Sequence, residues 1–162
     1  MSQCRRDDAR YLSSLRCVMD EIEPNLFLGT IDARPWVESR DIGVVISLFS
    51  AEQHEQLLPF ASSRIREHHF VLLDLEHYTK EHVHEMLDVT TGIIVDAHAA
   101  GKKVLVHGMA GISRSATVVL AFLQARDHVS FDEAFCRLRE KRYCVCPNPL
   151  FQRVLRERIH TL

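Results

Sequence analysis

Apolar positions along this chain follow two periods, and the change from one to the other marks the elements. Four short apolar runs predict strands: residues 26–29, 44–48, 70–73 and 104–106. The run Val44-Val45-Ile46-Ser47-Leu48 is β-branched and bounded by Gly43 and Ser50, the pattern of a parallel strand buried on both faces. Longer stretches carry the helical period. Residues 10–20 place Tyr11, Leu12, Leu15, Val18 and Met19 on one stripe, and residues 78–100 do the same with Val83, Met86, Leu87, Thr90, Ile93, Ile94 and Ala97. Gly101 is placed to cap the second of these. Residues 31–40 predict a short helix around Trp36 and Val37, and a polar helix or loop follows, anchored by Leu57, Leu58 and Phe60. Residues 116–123 are apolar except for Thr117, which suits a helix buried on most of its circumference. Ser130-x-x-Glu133 reads as a capping box opening a helix toward Arg142, and a last helix carries Phe151, Val154, Leu155 and Ile159 over about 150–159.

Strands alternating with helices predict an α/β fold: a central, mostly parallel sheet of four or five strands with helices on both sides and the 104–106 strand near its middle. A length of 162 residues suits one compact domain. We expect residues 1–21 to form an N-terminal helix packed on a domain of residues 22–162, in a chain that is a monomer.

Composition narrows the function by exclusion. Twenty basic against 22 acidic residues leave a formal net charge of −2, so no overall field favours nucleic acid or an anionic membrane. The five cysteines are odd in number and form no CxxC pair, which points to a reducing compartment, cytosol or nucleus. Cys144 and Cys146 read as small buried hydrophobes. The ten histidines are scattered, and neither His68-His69 nor His82-x-His84 belongs to an HExxH arrangement. We therefore expect no metal and no cofactor.

The chemistry concentrates between the 104–106 strand and the helix after it. Residues 107–113 form a loop with small residues at Gly108, Ala110 and Gly111. Such a loop before a helix N-terminus is an anion cradle, because its N–H groups lack intrahelical partners. Arg114 stands where a guanidinium could close the cradle and grip two phosphoryl oxygens at once.

This segment, His107-Gly108-Met109-Ala110-Gly111-Ile112-Ser113-Arg114-Ser115, resembles the His-Cys-(five residues)-Arg-Ser/Thr signature of cysteine-dependent protein tyrosine phosphatases. It is most similar to the dual-specificity branch. Two further stretches carry the resemblance, Ile22-Glu23-Pro24-Asn25-Leu26-Phe27-Leu28-Gly29 and the run from Arg142 through Pro147-Asn148 to Phe151, so that it covers about residues 22–158. One residue departs. Gly108 stands where the family has its nucleophilic cysteine, and glycine offers no atom that could attack phosphorus. The family works through a thiolate and a phosphocysteine, so this chain cannot form that intermediate. The same replacement in an otherwise intact loop resembles the STYX-type pseudophosphatases.

The resemblance implies roles. Met109, Ala110, Gly111, Ile112, Ser113 and Arg114 would hold phosphate. His107 would lie beneath the loop as a strut, and Asn148 would bond backbone near the loop, tying the C-terminal segment to the site. Ser115 matches the residue that assists breakdown of the phosphocysteine, a role void without the cysteine; as an alternative it reads as a plain helix cap. The family's general acid follows the strand at 70–73, a step worth about 10²–10⁴-fold. Here Glu76 or His77 falls at its spacing, and Asp74 stands close to the strand end. The function implied is a catalytically inactive domain that binds phosphorylated Tyr, Thr or Ser on a protein partner or competes with active phosphatases. The alternative is an active dual-specificity phosphatase whose natural cysteine at position 108 has been replaced.

Overall fold

The computed structural model describes Cys4 and residues 8–158. Five strands form one sheet in the order β1-β2-β5-β3-β4: β1 (Met19–Glu23), β2 (Leu26–Gly29), β3 (Ile42–Phe49), β4 (Arg66–Val71) and β5 (Lys103–His107). Only the β1–β2 pair is antiparallel. The expected mostly parallel sheet is therefore present, with β5 at its centre between β2 and β3. Its carboxyl end delivers residues 107–113 to the middle of the sheet edge, where open α/β sheets bind their ligands.

Alternation along the strands divides the core. Leu26 and Leu28, Val44, Ile46 and Leu48, and Val104 and Val106 face one side, covered by α3 (Lys80–Ala99), α4 (Arg114–Asp127), α5 (Phe131–Lys141) and α6 (Pro149–Glu157). Phe27, Val45 and Leu105 face the other, where Ala33 of a 3-10 helix (Ile31–Trp36) and Val37 just after it complete a smaller cluster. Both faces are covered, but unequally. The second side is closed by the short 3-10 helix together with Phe60 and Ile65 from the loop before β4, and that is the side on which Ser47, Glu67 and His107 lie.

The N-terminus differs from its expectation. The helix expected over 10–20 stops early: α1 (Ala9–Leu15) is followed by β1, with Met19 paired to Gly29. The apolar run Cys17-Val18-Met19 does not by itself separate helix from strand, and the free edge of β2 decides for a strand that buries Ile22. Residues 19–21 thus belong to the sheet rather than to an attached helix. The edge strand β4 begins at Arg66, four residues before the expected start, because Arg66-Glu67-His68-His69 carries no apolar signal. A strand paired on one side alone can be polar there.

Helix ends also shift. Ser130 Oγ accepts from the Glu133 N–H at 3.2 Å, but the Glu133 carboxylate pairs with Arg137 at 2.6 Å, so only half of that capping box forms. A complete box closes α2 (Ala51–Gln56), where Ser50 and Gln53 exchange side-chain and backbone bonds. α3 ends as expected, with Gly101 at φ +70°. α4 runs four residues past the expected 123, to Asp127, and His128 caps it in the left-handed region. Residue 159, the expected end of the last helix, lies outside the described residues.

Candidate phosphate-binding site

The loop after β5 is built by holding its carbonyls outward. Met109 O accepts from Ile31 N at 3.3 Å and Ile112 O from Cys146 N at 2.7 Å. Arg142 takes the two between them, its Nη2 donating to Ala110 O at 3.0 Å and its Nε to Gly111 O at 2.9 Å. Ser113 O accepts from the Thr117 N–H and hydroxyl. Every carbonyl from 109 to 113 is thereby engaged with protein, whereas none of the five N–H groups of the same residues has a protein acceptor among the described residues. Peptide planes pinned by their oxygens present their N–H groups to the other side, as an anion-binding nest requires. Gly111 makes the bend possible: at φ +63° an added Cβ would meet Gly29 O at 2.8 Å and Arg142 Nη2 at 3.0 Å.

A pocket of about 350 Å³ opens over this nest. Residues 108–115 line it, Asp74, Glu76 and Asn148 among the others. Arg114, at the first turn of α4, donates from Nη1 to Leu72 O at 3.0 Å, which leaves its other donors to the pocket. Burial lowers its guanidinium from the usual value while Asp74 and Tyr78 act oppositely; arginine stays charged regardless. The α4 amino end adds its partial positive charge from below.

At the pocket floor, Gly108 donates its N–H to Gly29 O at 3.4 Å. A Cβ there would stand 3.3 Å from Leu48 O and 3.9 Å from Ser115 Oγ. Ser115 is 1 % exposed, and its hydroxyl has no partner among the described residues. It occupies the second turn position of α4 and caps nothing.

The two carboxylate candidates differ in freedom. Asp74 Oδ1 accepts from Ser113 Oγ at 2.6 Å and from Asn148 Nδ2 at 2.9 Å. Asn148 N in turn donates to Ser113 Oγ, and Asn148 Oδ1 caps α6 through Phe151 N. Asp74, Ser113 and Asn148 thus stitch three chain segments together. Asn148 reaches the loop through the Ser113 side chain and donates from Nδ2 to the nearby Leu75 O at 3.4 Å, and Cys146 N makes the contact to the loop backbone. Glu76 lines the pocket without such ties, and His77 lies outside the lining, stacked on Tyr78 with ring centroids 5.3 Å apart.

His107 lies beneath, fully buried. Its Nε2 is 2.8 Å from Ser47 Oγ and its Nδ1 3.3 Å from Thr30 O. Burial, aided by the Arg34 charge, pushes it down to about 4, so it is neutral near pH 7. Arg34 pairs with both oxygens of Glu67, and Ser47 donates to the same carboxylate. Burial works to raise Glu67, but the bonds from Arg34 and Ser47 outweigh it and hold the carboxyl below its ordinary value.

Three contributors carry no signal readable from one sequence. Arg142, 1 % exposed, holds two loop carbonyls, Cys17 O and the Asp20 carboxylate. It stood in the run that carried the resemblance, yet a charge at a helix end reads as solvated. Tyr11 of α1 and Cys146 form pocket wall. Cys146 is also disulfide-bonded to Cys4, 142 residues away, which corrects its reading as a free buried thiol. Cys144 is free and buried as expected.

Residues 27–160 match the family model for the dual specificity phosphatase catalytic domain. The serine/threonine/tyrosine-interacting protein of Homo sapiens is 30 % identical over 97 % of this chain and 71 % of that protein. Human dual specificity protein phosphatase 16 is 32 % identical over 78 % of this chain, a match to 18 % of the larger protein. The crystal structure of the human tyrosine phosphatase-like serine/threonine/tyrosine-interacting protein superposes with a TM-score of 0.78 at 29 % identity, covering 86 % of this chain and 93 % of that one. A signature loop complete but for the glycine at its nucleophile position, on this fold and among these relatives, places the chain in the dual specificity phosphatase family as a STYX-like member.

Proposed function

We propose that this domain is a catalytically inactive phosphoprotein reader: it takes a phosphorylated Tyr, Thr or Ser side chain of a protein partner into the nest and does not hydrolyse it. The observation that carries this reading is the carbonyl accounting of residues 109–113, which leaves five consecutive N–H donors and Arg114 around a pocket with no thiol at its floor. An anion completes those donors; charge-assisted bonds contribute roughly 1.5–3 kcal/mol each. Glycine at 108 supports binding in a second way. A thiolate at that place would repel an incoming phosphate dianion, and Gly108 removes the repulsion. The name of the human relative, an interacting protein, agrees with a binding role.

The test is fluorescence anisotropy with matched peptides bearing phosphotyrosine, phosphothreonine, phosphoserine or the unmodified residue, alongside an assay of phosphate release. Saturable binding of at least one phosphopeptide, weakened about tenfold or more by Arg114→Ala, with no phosphate released, is the expected result. Equal affinity for the unmodified peptide, or an Arg114→Ala variant that binds as before, overturns it.

A further inference from the structure

On the far side of α1 from the phosphate pocket lies a second and larger concavity, about 710 Å³, between α1, α5 and α6. Its floor is aromatic, formed by Phe135 and Tyr143, with the exposed Cys136 beside them. Two guanidiniums lie over the Tyr143 ring, that of Arg139 at 4.2 Å from the centroid and that of Arg10 at 4.3 Å. Neither has a carboxylate partner among the described residues. Arg139 Nε is moreover buried with no acceptor among the described residues, although the rest of the side chain reaches the groove. Three carboxylates stand nearby among the described residues, none within ion-pair distance of Arg10 or Arg139: Asp132 is taken by Arg156 at 3.1 Å, Asp8 accepts from the Tyr143 hydroxyl at 2.9 Å, and Glu140 stands exposed at the rim.

The electrostatics are incomplete. Each guanidinium gains from the ring face, but two like charges on one aromatic ring repel each other, and an unsatisfied buried donor is costly. Carboxylates offered from outside relieve both costs. An apolar side chain flanked by those carboxylates fits the floor, and arginine and tyrosine are the residue types that most often dominate binding energy at interfaces.

We infer that this groove is a second docking site, for an unphosphorylated acidic peptide segment of a partner protein that inserts an aromatic or aliphatic side chain over Phe135 and Tyr143 while its carboxylates engage Arg10 and Arg139. The site does not depend on the phosphate nest. α1 is the ridge between the two, with Tyr11 on the nest side and Arg10 on the groove side. A partner carrying both a phosphorylated residue and an acidic segment would span the ridge and gain the effective-concentration advantage of two linked contacts.

The probe is a labelled peptide, Asp-Asp-Glu-Phe-Glu-Asp, titrated into the full chain at low salt with anisotropy as readout. A second peptide carries Asn and Gln in place of the acids. Backbone amide shifts map the bound region. We expect saturable binding of the acidic peptide, shifts concentrated on Cys136, Arg139 and Tyr143, and affinity reduced about tenfold by either Arg10→Glu or Arg139→Glu. Arg153→Glu, on the exposed face of α6, serves as the charge control and leaves binding unchanged. Arg10 is exposed on α1, so Arg10→Glu keeps the test intact should Arg139→Glu fail to fold. No saturable binding, equal binding of the uncharged peptide, insensitivity to Arg10→Glu, shifts falling on residues 108–114 instead, or tighter binding of a single-stranded oligonucleotide than of the peptide each overturns the inference.

Discussion

At residue 108 the chain carries no side chain, and in the proposed reading this is what separates binding from turnover. The cradle around it is complete, so Gly108→Cys places a thiol in a prepared setting: its Cβ clears Ser115 Oγ at 3.9 Å and touches Leu48 O at 3.3 Å. What it does not supply is an acid for the leaving group. Asp74 is engaged by Ser113 and Asn148, and His77 is stacked on Tyr78 outside the pocket lining. We therefore expect Gly108→Cys to hydrolyse aryl phosphates slowly, with a rate that climbs steeply as the leaving phenol becomes more acidic, because about 10²–10⁴-fold of general-acid assistance is missing. A rate insensitive to the phenol would show that one of Asp74, Glu76 and His77 donates the proton, and Glu76→Gln in the Gly108→Cys background identifies Glu76 if the rate then falls. Other single residues were equally decisive without being legible. Arg142 is a charged residue in a polar stretch, and only its burial against four acceptors distinguishes it from a surface arginine.

Among elements, the smaller core behind β5 acts through His107, which joins three strands and the 3-10 helix by way of Ser47, Glu67, Arg34 and Thr30. Unfolded, its imidazole returns to about 6.5; folded, it is held at about 4. Between these values the unfolded chain binds more protons than the folded one, so stability rises with pH across the window. The contribution is present above pH 6.5 and lost as pH falls toward 4, by roughly 3 kcal/mol at most. Glu67, lowered in the fold, loses its own contribution only at more acidic pH. Urea unfolding at a series of pH values checks this, and His107→Gln flattens the slope between pH 4 and 6.5; a slope unchanged by that substitution refutes it.

For the molecule as a whole, the N-terminal segment is part of the site. α1 supplies Tyr11 to the pocket, Asp8 accepts from the Tyr143 hydroxyl at 2.9 Å, Ser14 Oγ accepts from Cys144 N at 3.1 Å, and the Cys4–Cys146 disulfide closes the far end. A cross-link spanning nearly the whole chain restricts the unfolded ensemble strongly. Cys4→Ser is expected to lower stability by roughly 2–4 kcal/mol without reductant, and to have no effect in dithiothreitol, where the wild-type link is open as well. Paired unfolding curves read this directly. Identical wild-type curves in both conditions would mean that the bond contributes nothing.

Periodicity alone was enough for most of the architecture. Residues 44–48 and 104–106 are apolar on both faces and can only be interior strands, and residues 78–100 carry a stripe too long to be anything but a helix. The anion cradle was legible for a local reason: a strand, a loop of small residues and a helix lie consecutively in the chain, so neighbouring residues form the nest. Tertiary structure decided what consecutive residues cannot. Met19 to Glu23 became a strand because the edge of β2 was free. Asp74, Ser113 and Asn148 met only once the sheet and α6 had brought three distant segments together. Arg142 and the Cys4–Cys146 pair act across separations of tens to more than a hundred residues, over which hydrogen bonds and disulfides leave no periodic trace in the chain.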